Sequence, residues 1–416
     1  MQEQERAVLL GCHLNQEDRE RFQYSMDELA SLAKTAGASV EAVFTQNRDR
    51  IHSALYIGKG KVEELARFVE ELEADLIISN DELSPSQLRN LRDETGVRVV
   101  DRTQLILDIF AGRAQTKEGK LQVELAQLQY MLPRLTGQGE ALSRLGGGIG
   151  TRGPGETKLE SDRRHIHRRI DEIKRQLKTV TSHRERYRQQ RKRNQSIQLV
   201  LLGYTNAGKS TIFNQLTKAD AYAQDQLFAT LDPLTRRIQL PSGLTVLLTD
   251  TVGFIQDLPT TLVAAFRSTL EEVKEADLML HVADASHPDV FQHEKTVFEL
   301  LEELEAAELP MLTVYNKRDL LEESFIPTSG RASIQISAYD CSDIEHLLTE
   351  IEERLKKQMK PYSIVLPPDA GKLLARLKQD SILTNREYDE DKQVYRCRGY
   401  ILPTHPLAAE LKQYEK

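Results

Sequence analysis

The chain has little of what would staple a small extracellular fold or place one in a membrane. Its three cysteines in 416 residues, Cys12, Cys341 and Cys397, lie far apart, with neither a disulfide framework nor zinc-ligand spacing. The longest apolar runs, such as Leu199 to Leu202, are far short of the ~20 residues that a membrane-spanning helix needs. The opening MQEQER has no basic stretch followed by an apolar one, so no secretory leader is expected and the chain is expected to be cytoplasmic, with no membrane span. What is present is a charge-rich globular composition, 39% hydrophobic and 29% charged. A chain of this length exceeds one compact core and implies about two to four domains.

The net charge of −8, taken whole, disfavours nucleic acid. Its distribution says something different. Thr151 to Asn194 holds fifteen Lys/Arg and six Asp/Glu, a local +9 that leaves −17 for the rest. A basic element on an acidic body is the asymmetry of a factor that touches RNA through one part. A solvated helix face is the commoner meaning of a charge run.

Hydrophobic patterning divides the chain into four stretches. Residues 1–108 alternate strand-like runs (AVLLGC, SVEAVF, DLIIS, VRVVD) with helix-like ones, which is βαβ patterning and predicts a small α/β subdomain with a mostly parallel sheet. Within it, YIGKGK (Tyr56 to Lys61) reads as a tight turn at a helix start. One long helix is expected from Arg102 to about Leu135, ending at Pro133. A second is expected from Lys158 to about Arg193, with Ile166, Ile170, Ile173 and Leu177 as its apolar seam. Residues 109–195 therefore predict a helical hairpin whose tip is the glycine-rich LGGGIGTRGPGE. Residues 196–359 alternate strands and helices again, and 360–416 suffice for a small α+β appendage.

Gly203-Tyr204-Thr205-Asn206-Ala207-Gly208-Lys209-Ser210 fits G-x-x-x-x-G-K-S between strand-like IQLVLL and helix-like TIFNQL, the context a P-loop requires. Backbone amides there and at Thr211 face phosphates, Lys209 reaches the β and γ oxygens, and Ser210 offers a hydroxyl to Mg²⁺. Asp250-Thr251-Val252-Gly253 follows forty-one residues after Lys209 as D-x-x-G. Its aspartate can hold a metal-bound water and its glycine amide can sense a γ-phosphate. Asn316-Lys317-Arg318-Asp319 is N-K-x-D at a strand end. A carboxylate there accepts from guanine N1–H and the 2-amino group, whereas adenine would leave it unpaired, so ATP is the disfavoured alternative. Ser337-Ala338-Tyr339 is placed to back the base, an ordinary strand-end turn being the plainer account. The intervening LFATLDPLTRR, Leu227 to Arg237, is expected to hold a mobile segment that contacts nucleotide through Phe228-Ala229-Thr230-Leu231-Asp232, with Thr230 completing the Mg²⁺ shell and Thr235 as the reserve. Lys209, Thr230 and Gly253 are the candidate catalytic groups of a GTPase.

In many GTPases a glutamine that positions water follows D-x-x-G. Here the position is Phe254, which can neither orient water nor carry charge, so unaided hydrolysis is expected to be slow and a partner to activate it. Gln256 is nearby without a readable role.

These motifs and their flanks resemble the HflX family of translation-factor-related GTPases. The likeness runs through YIGKGK, DRTQLILDIFAGRAQTKEGKLQVELAQLQYMLPRL, GGGIGTRGPGETKLESDRR, GYTNAGKST, FATLDPLTRR, DTVGFIQDLP and NKRD. The glycine-loop string and TKEGKLQVELAQLQY are its most specific parts. DPLTRR departs from the expected DPTTR at Leu234, which leaves that position without an assigned role. The resemblance implies a P-loop G domain, an N-terminal α/β domain carrying the hairpin, and a small C-terminal domain. It also implies binding to the large ribosomal subunit and its RNA, splitting of stalled 70S ribosomes under stress, and ribosome-stimulated hydrolysis; a monomer is expected. Assembly of ribosomal or transfer RNA particles, RNA remodelling, and signalling through a protein partner are the competing readings.

The glycine loop itself contains a G-x-G-x-x-G match at Gly148 to Gly153. With no strand before it and a true P-loop elsewhere, that match is a decoy. Arg144, Arg152 and Lys158 around a backbone free of bulky side chains suit approach to an RNA phosphate backbone instead, a flexible hinge being the plainer account. Asn206 leaves two readings of equal weight: a good turn residue, or a resemblance to GTPases that use bound K⁺ to stabilise charge. Turnover compared in KCl and NaCl separates them; faster hydrolysis in KCl supports the ion, and equal rates leave only the turn.

Overall fold

The apolar run that opens the chain becomes β1 (Arg6–Leu14), central in a four-stranded sheet with Ala7 to Leu10 fully buried. A strand covered on both faces needs such a continuous run. Its partners are β2 (Ser39–Arg48), β3 (Leu76–Ser79) and β4 (Arg98–Asp101), all parallel, in the order β2-β1-β3-β4. The computed structural model describes residues 4–135, 154–194, 196–218, 227–256, 272–321, 325–327 and 330–414. Two compact units make up the chain. One is Met1–Ser182 with Gln226–Asp232 and Gln256–Arg267; the other is His183–Asp225 with Pro233–Ile255 and Ser268–Lys416.

In the first unit the crossovers are α1 (Arg19–Thr35), α2 (Lys59–Glu71) and α3 (Pro85–Thr95). Local chemistry sets their ends. Ser84 and Gln87 form a reciprocal capping box ahead of α3, with Pro85 in its first turn. YIGKGK is the turn into α2, as its pattern implied: Gly58 caps the helix, and the buried Tyr56 phenol accepts from the Cys12 amide (2.9 Å) and donates to Asp81.

The long helix expected from Arg102 is two helices, α4 (Arg102–Arg113) and α5 (Lys117–Arg134). The break is a capping event. Ala114 turns extended, and the Thr116 hydroxyl oxygen accepts from the Gly119 amide at 2.9 Å, which starts a new helix in place of continuing the old one. Pro133 does not end α5, which runs to Arg134. Helix α6 (Pro154–Asn194) begins four residues earlier than expected, on a proline suited to a first turn. Its seam is real: Ile170 and Ile173 are buried, and Arg169 grips both oxygens of Glu124 on α5 at 2.6 and 2.9 Å. The glycine loop up to residue 153, with Arg144 and Arg152, lies outside the described residues, as does the side chain of Lys158.

The second unit is built on six strands: β5 (Gln198–Gly203), β6 (Leu234–Gln239), β7 (Thr245–Asp250), β8 (Leu278–Asp284), β9 (Met311–Asn316) and β10 (Ser333–Gln335). Their order is β10-β9-β8-β5-β7-β6, parallel except for β6, which pairs antiparallel with β7. Strand β6 arises from residues read in sequence as part of a mobile segment; LTRRIQ lacks a buried run because it is an edge strand with one inward residue, Ile238. Helices α7 (Lys209–Thr217), α8 (Val290–Glu303) and α9 (Cys341–Lys356) accompany the sheet. The appendage is β11 (Lys360–Leu366), α10 (Gly371–Asp380), β12 (Ile382–Asp389), β13 (Val394–Ile401) and α11 (Pro406–Leu411), an antiparallel sheet in the order β11-β13-β12. No described helix is long and apolar enough to cross a membrane.

Phe213 on α7 is fully buried among Leu199, Leu201, Val246 and Leu280. Phe213→Ala should cost about 3–5 kcal/mol, read as a lowered urea midpoint with near-unchanged circular dichroism in buffer.

Candidate functional site

Four loops at the carboxyl ends of the second unit's parallel strands hold most of the motif residues, the usual place for a ligand in an open α/β sheet. Between β5 and α7 the chain makes the loop Gly203 to Gly208. Gly208 has φ +93, and a Cβ there would overlap Asn316 Nδ2, so both backbone and space demand glycine. Asn206 sits in the left-handed region, φ +59, where an asparagine is well tolerated. The Lys209 ammonium donates to the Gly203 and Tyr204 carbonyls at 3.0 and 2.7 Å, curling back over the loop. Burial pushes its pKa down to about 8, with Asp250 opposing. A desolvated cation held over two loop carbonyls at a helix start is suited to anionic oxygens. Thr205 Oγ1 is buried with no protein partner among the described residues.

At the end of β7, Asp250 Oδ2 accepts from the Ser210 hydroxyl at 2.9 Å. An all-oxygen pair of this kind fits a hard cation such as Mg²⁺, which takes few protein ligands and completes its shell with water and phosphate. Gly253 lies against the P-loop: a Cβ there would come within 3.0 Å of Lys209 Nζ and 2.8 Å of Thr205 Cγ2. Phe254 is 2% exposed and joined to the P-loop backbone. Its amide donates to Gly203 O (3.1 Å) and its carbonyl accepts from the Thr205 amide (2.7 Å).

Asn316, 2% exposed at the end of β9, joins three loops. Its Nδ2 donates to Ala207 O and its Oδ1 accepts from the Ala338 amide, both at 2.9 Å. Lys317 adopts φ +64 and pairs with Asp284 at 2.7 Å. Arg318 pairs with Asp343 at 2.9 Å, and Asp343 also accepts from the Ser337 amide at 2.7 Å. Asp319 remains exposed, beside a recess of about 460 Å³ lined by Arg318, Asp319, Ser337, Tyr339, Asp340 and Cys341. An outward carboxylate over such a recess can read a base edge.

Sequence reasoning missed Asp284, Asp343 and His293. The first two carry charge at strand or helix ends, where a pairing partner could have been sought. His293 had no signal: its ring stacks on Tyr204 at 3.7 Å and 7°, and burial pushes its pKa down to about 3, so it is a neutral plate against the P-loop tyrosine. Thr235 stands in β6 with its hydroxyl bonded to Thr249 at 2.9 Å. Phe228 to Asp232 belong to the first unit, where Phe228 is buried, Thr230 is half-buried and Asp232 accepts from Gln115 and Thr116.

Residues 23–111 match a family described as GTP-binding GTPase N-terminal, 113–191 the GTP-binding GTPase middle region, and 198–317 the 50S ribosome-binding GTPase family. The GTPase HflX of Alkalihalophilus pseudofirmus is 58% identical over 409 residues, covering 98% of this chain and 96% of its own. That of Escherichia coli is 44% identical over 397 residues, covering 94% and 92%. Among solved structures, SsGBP in complex with GDP aligns with a TM-score of 0.50 at 25% identity, over 84% of this chain and 98% of its own.

Removing the Asn316 side chain would leave the buried Ala207 carbonyl and Ala338 amide unpaired, at about 1–3 kcal/mol each. Asn316→Ala should therefore weaken GDP and GTP binding alike, by roughly tenfold to a hundredfold, in titrations with a fluorescent nucleotide.

Proposed function

As a member of the HflX family of GTPases, this chain hydrolyses GTP, and we propose that it binds the large ribosomal subunit and dissociates stalled or idle 70S ribosomes, with hydrolysis stimulated by the ribosome. The observation that carries this reading is at Phe254. Where a water-positioning side chain would stand, an apolar ring is buried and its backbone is bonded to Gly203 and Thr205. The group that completes hydrolysis must come from elsewhere, as in GTPases that await a partner. The match of residues 198–317 to a 50S ribosome-binding family supports the ribosome as that partner. The +9 charge of Thr151 to Asn194 supports contact with its RNA.

In this reading Lys209 neutralises the β and γ oxygens, the Gly253 amide meets the γ-phosphate, and Asp319 accepts from guanine. Ser210 and Thr230 would hold Mg²⁺, which when bound would supply positive charge next to the phosphates. Arg144, Arg152 and Lys158 meet ribosomal RNA. The GTP form, bound as a monomer to one subunit in a pose that excludes the other, shifts the subunit equilibrium without mechanical work.

Sedimentation of 70S ribosomes with the protein and a non-hydrolysable GTP analogue tests this. Separated subunits with the protein on the large one are expected. Intact 70S particles with no protein on the large subunit sink the proposal, and binding confined to immature particles favours a role in assembly.

A further inference from the structure

The TKEGKLQ stretch is among the most specific parts of the sequence, yet none of its residues takes part in the nucleotide loops. The structure gives it an occupant. Asp232, which closes the segment Gln226–Asp232, places its carboxylate on the start of α5. Oδ2 accepts from the backbone amides of Gln115 and Thr116 at 3.0 and 2.9 Å, and Oδ1 accepts from the Thr116 hydroxyl. Gly119, one turn on, is where a side chain would obstruct: a Cβ there would collide with Asp232 Oδ1. Thr116 is used twice, donating to Asp232 and accepting from the Gly119 amide. A carboxylate on unpaired amides at a helix start is favoured by both hydrogen bonding and the helix dipole.

The other end of the segment is also held. Phe228 has φ +56 and is 2% exposed, and its ring meets the buried Phe110 of α4 edge-on at 4.6 Å and 75°. A left-handed backbone at a bulky residue persists only where its surroundings enforce it. Thr230 lies between these two anchors, and at Pro233 the chain passes to the other unit.

We propose that Asp232 is a positioning residue that latches the nucleotide-sensing segment onto Gln115 and Thr116, in the space that Gly119 leaves, and that this latch favours binding of triphosphate over diphosphate. It rests on the reading of Thr230 as the threonine that meets Mg²⁺ and the γ-phosphate. A loop already ordered at both ends loses less freedom when its threonine is engaged, so breaking an anchor penalises the ligand that needs the loop and spares the one that does not.

The test is the ratio of GTPγS to GDP affinity, with the thermal midpoint measured alongside, in T116V, T116S, G119A, D232A and T230A. T116V and G119A should lower GTPγS affinity about tenfold with GDP affinity within about twofold of the parent, and T116S should match the parent. G119A is the discriminating variant. Its Cβ would displace the Asp232 carboxylate whatever the contact is for, so a merely structural contact predicts a shifted midpoint with no change in the ratio, which would overturn the latch. The double variant T116V/D232A should be no worse than D232A alone, because the two act through one contact; additive losses overturn it. T230A separates the two ideas: an unchanged ratio there removes the Thr230 reading, while T116V and G119A still decide the latch.

Discussion

The nucleotide loops depend on one buried amide. Asn316 donates to the P-loop at Ala207 and accepts from Ala338, so three strand ends are fixed by two hydrogen bonds from a side chain 2% exposed. Its position explains its neighbours. Gly208 must lack a side chain because Asn316 Nδ2 fills that space. Lys317, just past the tie, takes a left-handed backbone and pairs with Asp284, which itself accepts from the Ser286 amide and hydroxyl at 3.0 and 2.7 Å. Preorganisation of this kind is what lets a polar loop discriminate, since buried donors and acceptors left unpaired by a wrong ligand are costly.

A second theme is commitment of backbone groups. Phe254 spends its amide and carbonyl on the P-loop, which leaves Gly253 beside Lys209. Asp232 satisfies amides at the start of α5. Segments expected to respond to nucleotide are thus held by a few hydrogen bonds set beside buried apolar side chains, Leu227, Phe228 and Leu231 in one and Val252, Phe254 and Ile255 in the other.

Much of this was legible in the sequence. The GxxxxGKS, DTVG and NKRD stretches carry their chemistry in residue type and spacing, and a parallel sheet reads directly from buried apolar runs such as Val200 to Leu202. The failures have physical causes. Arg102 to Leu135 looked like one helix because its apolar periodicity carries across Thr116, whereas the threonine's capping bond to Gly119 is local competition that periodicity does not register. Strands β6 and β12 escaped notice because both are edges, each with a single buried residue, Ile238 or Ile382.

Residue identity by itself therefore determined the class of fold, the guanine-nucleotide chemistry and the family, because those rest on short stretches whose meaning is carried within a single loop or strand. Tertiary structure decided which distant groups meet: Asn316 with Ala207, Asp284 with Lys317, His293 with Tyr204, and Asp232 with Thr116 across 116 positions of chain. A hydrogen bond or ring contact is made in space over a few ångströms, and nothing in the spacing of such residues along the chain encodes that they will be neighbours.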